Sequence, residues 1–85
     1  MEASAYCTGT ITRSGLRVRY GLVASDPRMI ALGSEIYIQG MGTFLVADTG
    51  GAIKGNKLDI YMPSYSKCIS FGVRKVKVIV LKKGE

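Results

Sequence analysis

Whatever acid–base chemistry this chain performs must draw mainly on six carboxylates: Glu2, Asp26, Glu35, Asp48, Asp59 and Glu85. The 85 residues include no histidine, which excludes Ser-His-Asp and Cys-His machinery. The two cysteines, Cys7 and Cys68, cannot by themselves fill a four-ligand structural zinc site. A general acid or base is therefore a carboxylate, a lysine, a tyrosine or a cysteine. An oxygen-ligand Ca²⁺ site built from the aspartates stays open, but EF-hand spacing is missing. Gly50 and Gly55 have P-loop spacing, yet Asn56-Lys57 follows where Lys-Ser/Thr is needed. Gly40-Met-Gly42 lacks the third glycine of a dinucleotide fingerprint.

The strongest local feature is Val46-Ala-Asp48-Thr-Gly-Gly-Ala-Ile-Lys54-Gly55. An apolar strand delivers Asp48 to its end, and a glycine-rich loop follows. Such a loop lets the backbone approach a ligand closely with its N–H groups free to donate, and Lys54 adds a positive charge. In Leu58-Asp-Ile-Tyr61, Asp59 alternates with two apolar residues and faces away from them, on the side of Tyr61. Each aspartate also has a purely structural reading. Asp26 before Pro27 suits a turn or helix cap, Asp48 before Thr-Gly suits a turn, and Asp59 suits an exposed strand position. Lys54 alone reads as a solvated loop charge, and the five tyrosines read first as half-buried packing.

The elements that must position these residues are short and mostly extended. Ala3 to Thr12 reads as a strand, Arg13-Ser-Gly15 as a turn, and Arg17 to Ala24 as a second strand. Pro27 suits the first position of a short helical turn capped by Asp26 or Ser25. Glu35–Gln39, Thr43–Asp48 and Leu58–Met62 read as further strands. Pro63 and Ser64 open a short helix, roughly Tyr65–Ser70, which Gly72 ends. Val73–Leu81 is the last strand. Ile30-Ala-Leu-Gly33 and Ile69-Ser-Phe-Gly72 lie 39 residues apart after matching strand–Pro–helix segments, a loose internal repeat. Two such copies packed together suggest a pseudo-two-fold, six-stranded barrel, because closure removes exposed edges. No linker divides the chain, so residues 1–85 read as one domain.

The composition fits that picture. Apolar residues make up 47% and charged residues 21%, and 11 glycines suit many tight turns. A domain this small buries only ~60% of its unfolded surface and benefits from a staple. Cys7 and Cys68 are one candidate, closing a loop of about 60 residues that is worth on the order of 4 kcal/mol; two unpaired thiols are the other. The net charge of +6 favours an acidic partner such as nucleic acid, anionic lipid or an acidic cell-surface polymer, or else marks a solvated basic face. No apolar run approaches the ~20 residues needed to cross a bilayer. No leader signature is read at the start, and the compartment is not read from that end.

Ala5-Tyr-Cys7, Val23-Ala-Ser-Asp-Pro27, Ile30-Ala-Leu-Gly33, Ala47-Asp-Thr-Gly-Gly-Ala-Ile-Lys-Gly55, Leu58-Asp-Ile-Tyr61 and Phe71-Gly-Val-Arg74 together resemble the three-aspartate, or 3D, domain. This is the small domain of stationary-phase survival-type lytic transglycosylases, related to the catalytic domain of membrane-bound lytic transglycosylase A. Asp26, Asp48 and Asp59, spaced 22 and then 11 residues apart, match its three aspartates. Ala31 stands where the family often has Pro, and Ser34 where Thr is common. The resemblance implies an all-β fold, a small six-stranded double-psi β-barrel with short helices. It also implies cleavage of the MurNAc–GlcNAc β-1,4 bond of peptidoglycan without water, giving a 1,6-anhydro-muramyl product.

That reaction needs one carboxyl group that protonates the leaving oxygen and then receives the proton of the attacking C6 hydroxyl; hydrolytic glycosidases need two. Clustered aspartates can retain one proton among them, so Asp48 is expected as the acid/base, with Asp26 and Asp59 supplying coupling and hydrogen bonds. Lys54, the backbone of Gly50 and Gly51, and Tyr6, Thr8 and Tyr61 are expected to contact substrate. No cofactor, metal, nucleic-acid partner or membrane insertion is expected, and the chain is expected outside the cell or in the wall. Two other readings compete. Phe44-Leu-Val-Ala-Asp48-Thr-Gly50 also looks like the active-site strand of an aspartic-protease half that pairs as a dimer, and a wall-binding barrel without catalysis, expansin-like, would need no acid.

Overall fold

The computed structural model describes residues 1–7, 11–49 and 53–84. Among them, seven strands and one helix follow in the order β1 (Glu2–Tyr6), β2 (Leu22–Ser25), β3 (Glu35–Ile38), β4 (Gly42–Asp48), β5 (Lys57–Tyr61), α1 (Tyr65–Phe71), β6 (Arg74–Lys75) and β7 (Val78–Lys82). They form one sheet in the order β6-β1-β5-β2-β4-β3-β7. β1 runs parallel to β5, and β2 runs parallel to β4. The remaining pairings are antiparallel.

The expected all-β character is present, but the strand count differs. The segment expected as a single final strand is interrupted at Val76-Lys77 and becomes β6 and β7. The two halves serve different neighbours: β6 pairs with β1 and β7 with β3. The residues between them are held from both sides. Met1 and Val76 exchange two bonds of 2.8 Å, and the Lys77 carbonyl accepts from Gln39 N–H at 3.0 Å. One stretch of chain thus supplies both edge strands of a sheet that, among the described residues, stays open and does not close into the expected six-stranded barrel.

One face of the sheet closes on a core of Val23, Ile36, Ile38, Phe44, Val46, Leu58 and Ile60, with Ala3, Ile30, Met62 and Phe71 around it. The period of two is visible in β3, where Ile36 and Ile38 are buried and Glu35 and Tyr37 exposed. α1 runs one residue past its expected end. Ser64 caps it by accepting from Lys67 N–H, and Gly72 closes it at φ 64°, a conformation that favours glycine. The short helix expected after Pro27 does not form. The Asp26 carbonyl accepts from Met29 and Ile30 N–H, which makes a single turn. Ile30 then enters the core, and Gly33 N–H bonds the Val46 carbonyl, pulling the chain away into β3. β2 starts later than expected, at Leu22. The turn at Arg13-Ser-Gly15 is present and folds back so that Ile11 bridges Arg17.

Candidate active site

Two of the three motif aspartates lie in one row across the sheet. Ser4 of β1 is opposite Asp59 of β5, Asp59 is opposite Ala24 of β2, and Ala24 is opposite Asp48 of β4. Cross-strand partners point to the same face, so Ser4, Asp59 and Asp48 share the face opposite the core. Asp48 and Asp59 are two strand spacings apart, roughly 10 Å between their backbones. Ala24 of the intervening strand lies between them and is itself buried.

A bulge makes this row possible. Leu22 pairs with Leu45 and Val23 with Val46, but Ala24 pairs with Asp48, so Ala47 is the extra residue. Phe44 and Val46 point into the core. Strict alternation would send Asp48 after them, into the apolar interior. The extra residue shifts the register by one and turns Asp48 onto the Leu45 and Ala24 side. Re-aiming a side chain in this way is a recurring use of bulges next to active sites. The turn before β2 then fastens Asp48 in place. Asp48 Oδ1 accepts from Arg13 N–H at 2.9 Å and from Thr49 N–H at 2.8 Å, and Ser14 N–H bonds the Ala47 carbonyl.

Asp59 has a different environment. It is half-buried, and its one side-chain hydrogen bond among the described residues comes from Ser4, whose hydroxyl lies 3.1 Å from Oδ1. Burial raises its carboxyl above the ordinary carboxylate range, and the Ser4 hydrogen bond offsets part of that rise. Two residues further along the same face, Tyr6 and Tyr61 pack edge to face with ring centroids 5.4 Å apart. The Tyr6 hydroxyl is buried and has no hydrogen-bond partner among the described residues. Its ionisation is pushed up to about 12, first by burial and then by the charges of Asp48, Asp59 and Tyr61. At neutral pH it is therefore a protonated donor beside the two carboxyl groups, and a buried donor without a partner is a costly feature that calls for an explanation.

Asp26 is built into something else. It is only 2% exposed, and its carboxylate is fully engaged. Oδ1 accepts from Arg28 N–H at 3.0 Å, and Oδ2 accepts from Gly55 N–H at 2.8 Å and from Arg28 Nη2 at 2.9 Å. The Arg28 side chain closes the fork and drives the Asp26 carboxyl far below the usual range, helped by the two backbone donors. This is the turn-capping role available to an aspartate before Pro27, combined with a latch onto the loop that leads into β5. The expectation that Asp26 raises a neighbour's proton affinity by like charge finds no geometric support, because its charge is already neutralised by Arg28.

Of the other expected contacts, Tyr6 and Tyr61 are on the aspartate face. Lys54 is exposed, and no hydrogen bond joins it to the three aspartates among the described residues. Thr8, Gly50 and Gly51 lie outside the described residues. Ser4, Arg13 and Arg28 were not singled out by sequence. Arg13 contacts Asp48 only through its backbone, which no residue-type signal reveals. Arg28, two residues after Asp26, was within reach of a local charge-pair search. A cavity of about 610 Å³ beside α1, lined by Tyr20, Met62, Lys67, Phe71 and Arg74, contains none of the aspartates. The aspartate row thus lies outside that cavity. Among the described residues no cluster of ligands could hold a metal ion, and no helix is long and apolar enough to cross a membrane.

Comparison with known proteins points the same way. Residues 21–82 match the 3D domain family. The cell wall-binding protein YocH of Bacillus subtilis is 52% identical over 60 residues, covering 71% of this chain and 21% of that protein. The putative cell wall shaping protein YabE of the same organism is 37% identical over 84 residues, covering 92% of this chain and 21% of that protein. A prophage-derived protein of the same organism, YorM, is 38% identical over 85 residues and 35% of its length. The chain thus spans about a fifth to a third of the length of these relatives.

Proposed function

The chain belongs to the 3D domain family, and on that premise we propose that it engages cell-wall peptidoglycan and cleaves its MurNAc–GlcNAc bond as a lytic transglycosylase. The observation that carries this reading is the row Ser4–Asp59–Ala24–Asp48 on the sheet face opposite the core, with one carboxyl group raised by burial and the other fastened by backbone donors. The names of the relatives support a wall substrate. A net charge of +6 suits a matrix rich in carboxylates and phosphates.

The geometry favours Asp59, rather than the Asp48 expected from sequence, as the residue that holds the working proton. Burial keeps a proton on Asp59 to higher pH, which a general acid near neutrality needs. Asp59 gives this proton to the glycosidic oxygen as the C1–O bond breaks. The C6 hydroxyl of the muramyl residue attacks C1, and its proton passes to the Asp59 carboxylate, so the enzyme is restored and no water is consumed. Asp48, an acceptor of two N–H bonds, serves as the fixed negative charge facing the electron-poor anomeric carbon. The Tyr6 hydroxyl, protonated and without another partner among the described residues, donates to the sugar. Both carboxyl groups come from one chain, so this arrangement needs no second copy, in contrast to the aspartic-protease reading.

The experiment is mass spectrometry of sacculi digested with the wild-type chain and with Asp59→Asn. Release of 1,6-anhydro-muropeptides by the wild type, lost in the variant, supports the reading. A chain that sediments with sacculi but releases no anhydro product would instead be a wall-binding module, the second reading, which similarity to the cell wall-binding protein YocH favours. The same sedimentation assay tests the proposed location, outside the cell and on the wall.

A further inference from the structure

Cys7 and Cys68 are 61 positions apart in sequence and lie close together in the fold. Cys7 directly follows β1. Cys68 is in the middle of α1, turned toward the core cluster, and α1 packs directly on β1. The lead into the helix is pinned to the same strand end, because Met62 N–H bonds the Tyr6 carbonyl at 2.8 Å. The two thiols are close enough to influence each other: burial raises Cys68 above its ordinary value, and the neighbouring Cys7 side chain raises it further. Both side chains are only half-buried and both carry free thiols. The end of one strand and the helix packed on that strand each carry a cysteine, an arrangement from which a disulfide can close. We propose that Cys7 and Cys68 are an oxidation site that closes to an intramolecular disulfide, fastening α1 to the end of β1.

The oxidant is a disulfide-class reagent, either a thiol–disulfide oxidoreductase or a small disulfide. A thiolate of the pair attacks the reagent, and the first sulfur of the reagent leaves as a thiol. The second cysteine displaces the mixed disulfide and releases a second thiol. Two protons and two electrons pass from the cysteine pair to the reagent, which is reduced to two thiols, and one S–S bond forms in the chain. Such bonds persist in the oxidising space outside a cell. The loop closed is most of the domain, so the crosslink removes much unfolded-chain freedom from a chain with a small core. Cys7 follows Tyr6 directly, so the bond also steadies the strand end that carries the Tyr6 ring. The inference does not depend on whether the domain cleaves glycan.

The test uses the whole chain and one small disulfide, oxidised glutathione, against a dithiothreitol-reduced control. After oxidation neither cysteine should alkylate under denaturing conditions, and the chain should run as a monomer without reductant. A digest should contain the Cys7 peptide joined to the Cys68 peptide. The oxidised chain should melt on the order of 10 °C above the reduced one, and this difference should vanish in Cys7→Ser and in Cys68→Ser. The comparison of oxidised and reduced wild type stands even where a variant folds poorly. Full alkylation after oxidation, stable glutathione adducts, crosslinks between chains, or equal melting temperatures would each overturn the proposal.

Discussion

Asp26 and Asp59 belong to the same motif and sit in opposite environments. Asp26 is buried and saturated with donors, and Arg28 beside it pins it as a permanent anion. Asp59 is half-buried, has one hydroxyl partner among the described residues, and is shifted toward holding a proton. The difference shows that three aspartates recurring together need not share one proton. One organises the backbone, tying the turn after β2 to the loop before β5. The other two occupy one row on the face opposite the core. A motif expected as a single cluster thus places one aspartate in a donor-saturated turn and two on a shared sheet face.

Exchanging the two residues tests that division most directly. Asp59→Asn should lower release of anhydro-muropeptides by roughly 10²–10⁴-fold, the usual weight of a general acid/base. Once pH passes the folded Asp59 carboxyl value, its melting temperature should equal or exceed that of the wild type. The sign follows from the raised carboxyl: a group with higher proton affinity in the folded state contributes stability below the unfolded value. That contribution is lost as pH rises through the folded value. Above that value the ionised, half-buried Asp59 is thus a burden that asparagine removes. Asp26→Ala should do the reverse. It strands the N–H groups of Arg28 and Gly55 and the Arg28 guanidinium, and should lower the melting temperature by on the order of 10 °C. The lowered carboxyl of Asp26 makes its contribution present above the unfolded carboxylate value and lost as pH falls through the folded one. The wild type should therefore show acid destabilisation that Asp26→Ala largely lacks. Equal losses of activity and stability in both variants would erase the distinction.

Tyr6→Phe probes that shared face more gently. The phenol is buried and unpartnered among the described residues, so removing it should leave the melting temperature unchanged or slightly raised. If the hydroxyl donates to substrate, activity should fall on the order of ten- to a hundredfold, the weight of one hydrogen bond near a charge. A variant that keeps wild-type activity while gaining stability would return Tyr6 to a packing role against Tyr61.

Much of this arrangement was legible from sequence, and the parts that were not have a common cause. α1 was readable because Ser64 and Gly72 mark its ends by local chemistry. β5 was readable because Leu58 and Ile60 alternate with Asp59, which placed that carboxyl off the core face. Asp48 was recognisable by its motif, but its orientation depends on the bulge opposite Ala24, and alternation in β4 alone points it inward. The split of the last strand was hidden as well, because Val76 and Lys77 continue the valine–lysine alternation while their backbone partners, Met1 and Gln39, come from distant segments. Ser4 carries no local signal, and its role exists only because β1 and β5 pair in parallel at that register. Local chemistry was visible in the sequence, whereas register was decided by non-local pairing.

Ser4 also supplies the finest test of the comparison between the two aspartates. Its hydroxyl donates to Asp59 Oδ1 and is the influence that partly counters burial there. A hydrogen bond to the ionised form favours that form, so Ser4→Ala should let the Asp59 carboxyl rise further. Activity that requires protonated Asp59 declines as pH rises through that value, and in Ser4→Ala the declining limb should move to higher pH by less than about one unit. On the low-pH side of the limb the variant should match the wild type. A purely structural role for Ser4 would depress activity at every pH and leave the limb in place. A limb that moved to lower pH would mean that Ser4 stabilises the protonated acid, and would reverse the assigned direction of the Ser4–Asp59 hydrogen bond. No such shift is expected from changes at Arg28, because the carboxylate it holds, Asp26, is outside the row proposed to handle the proton.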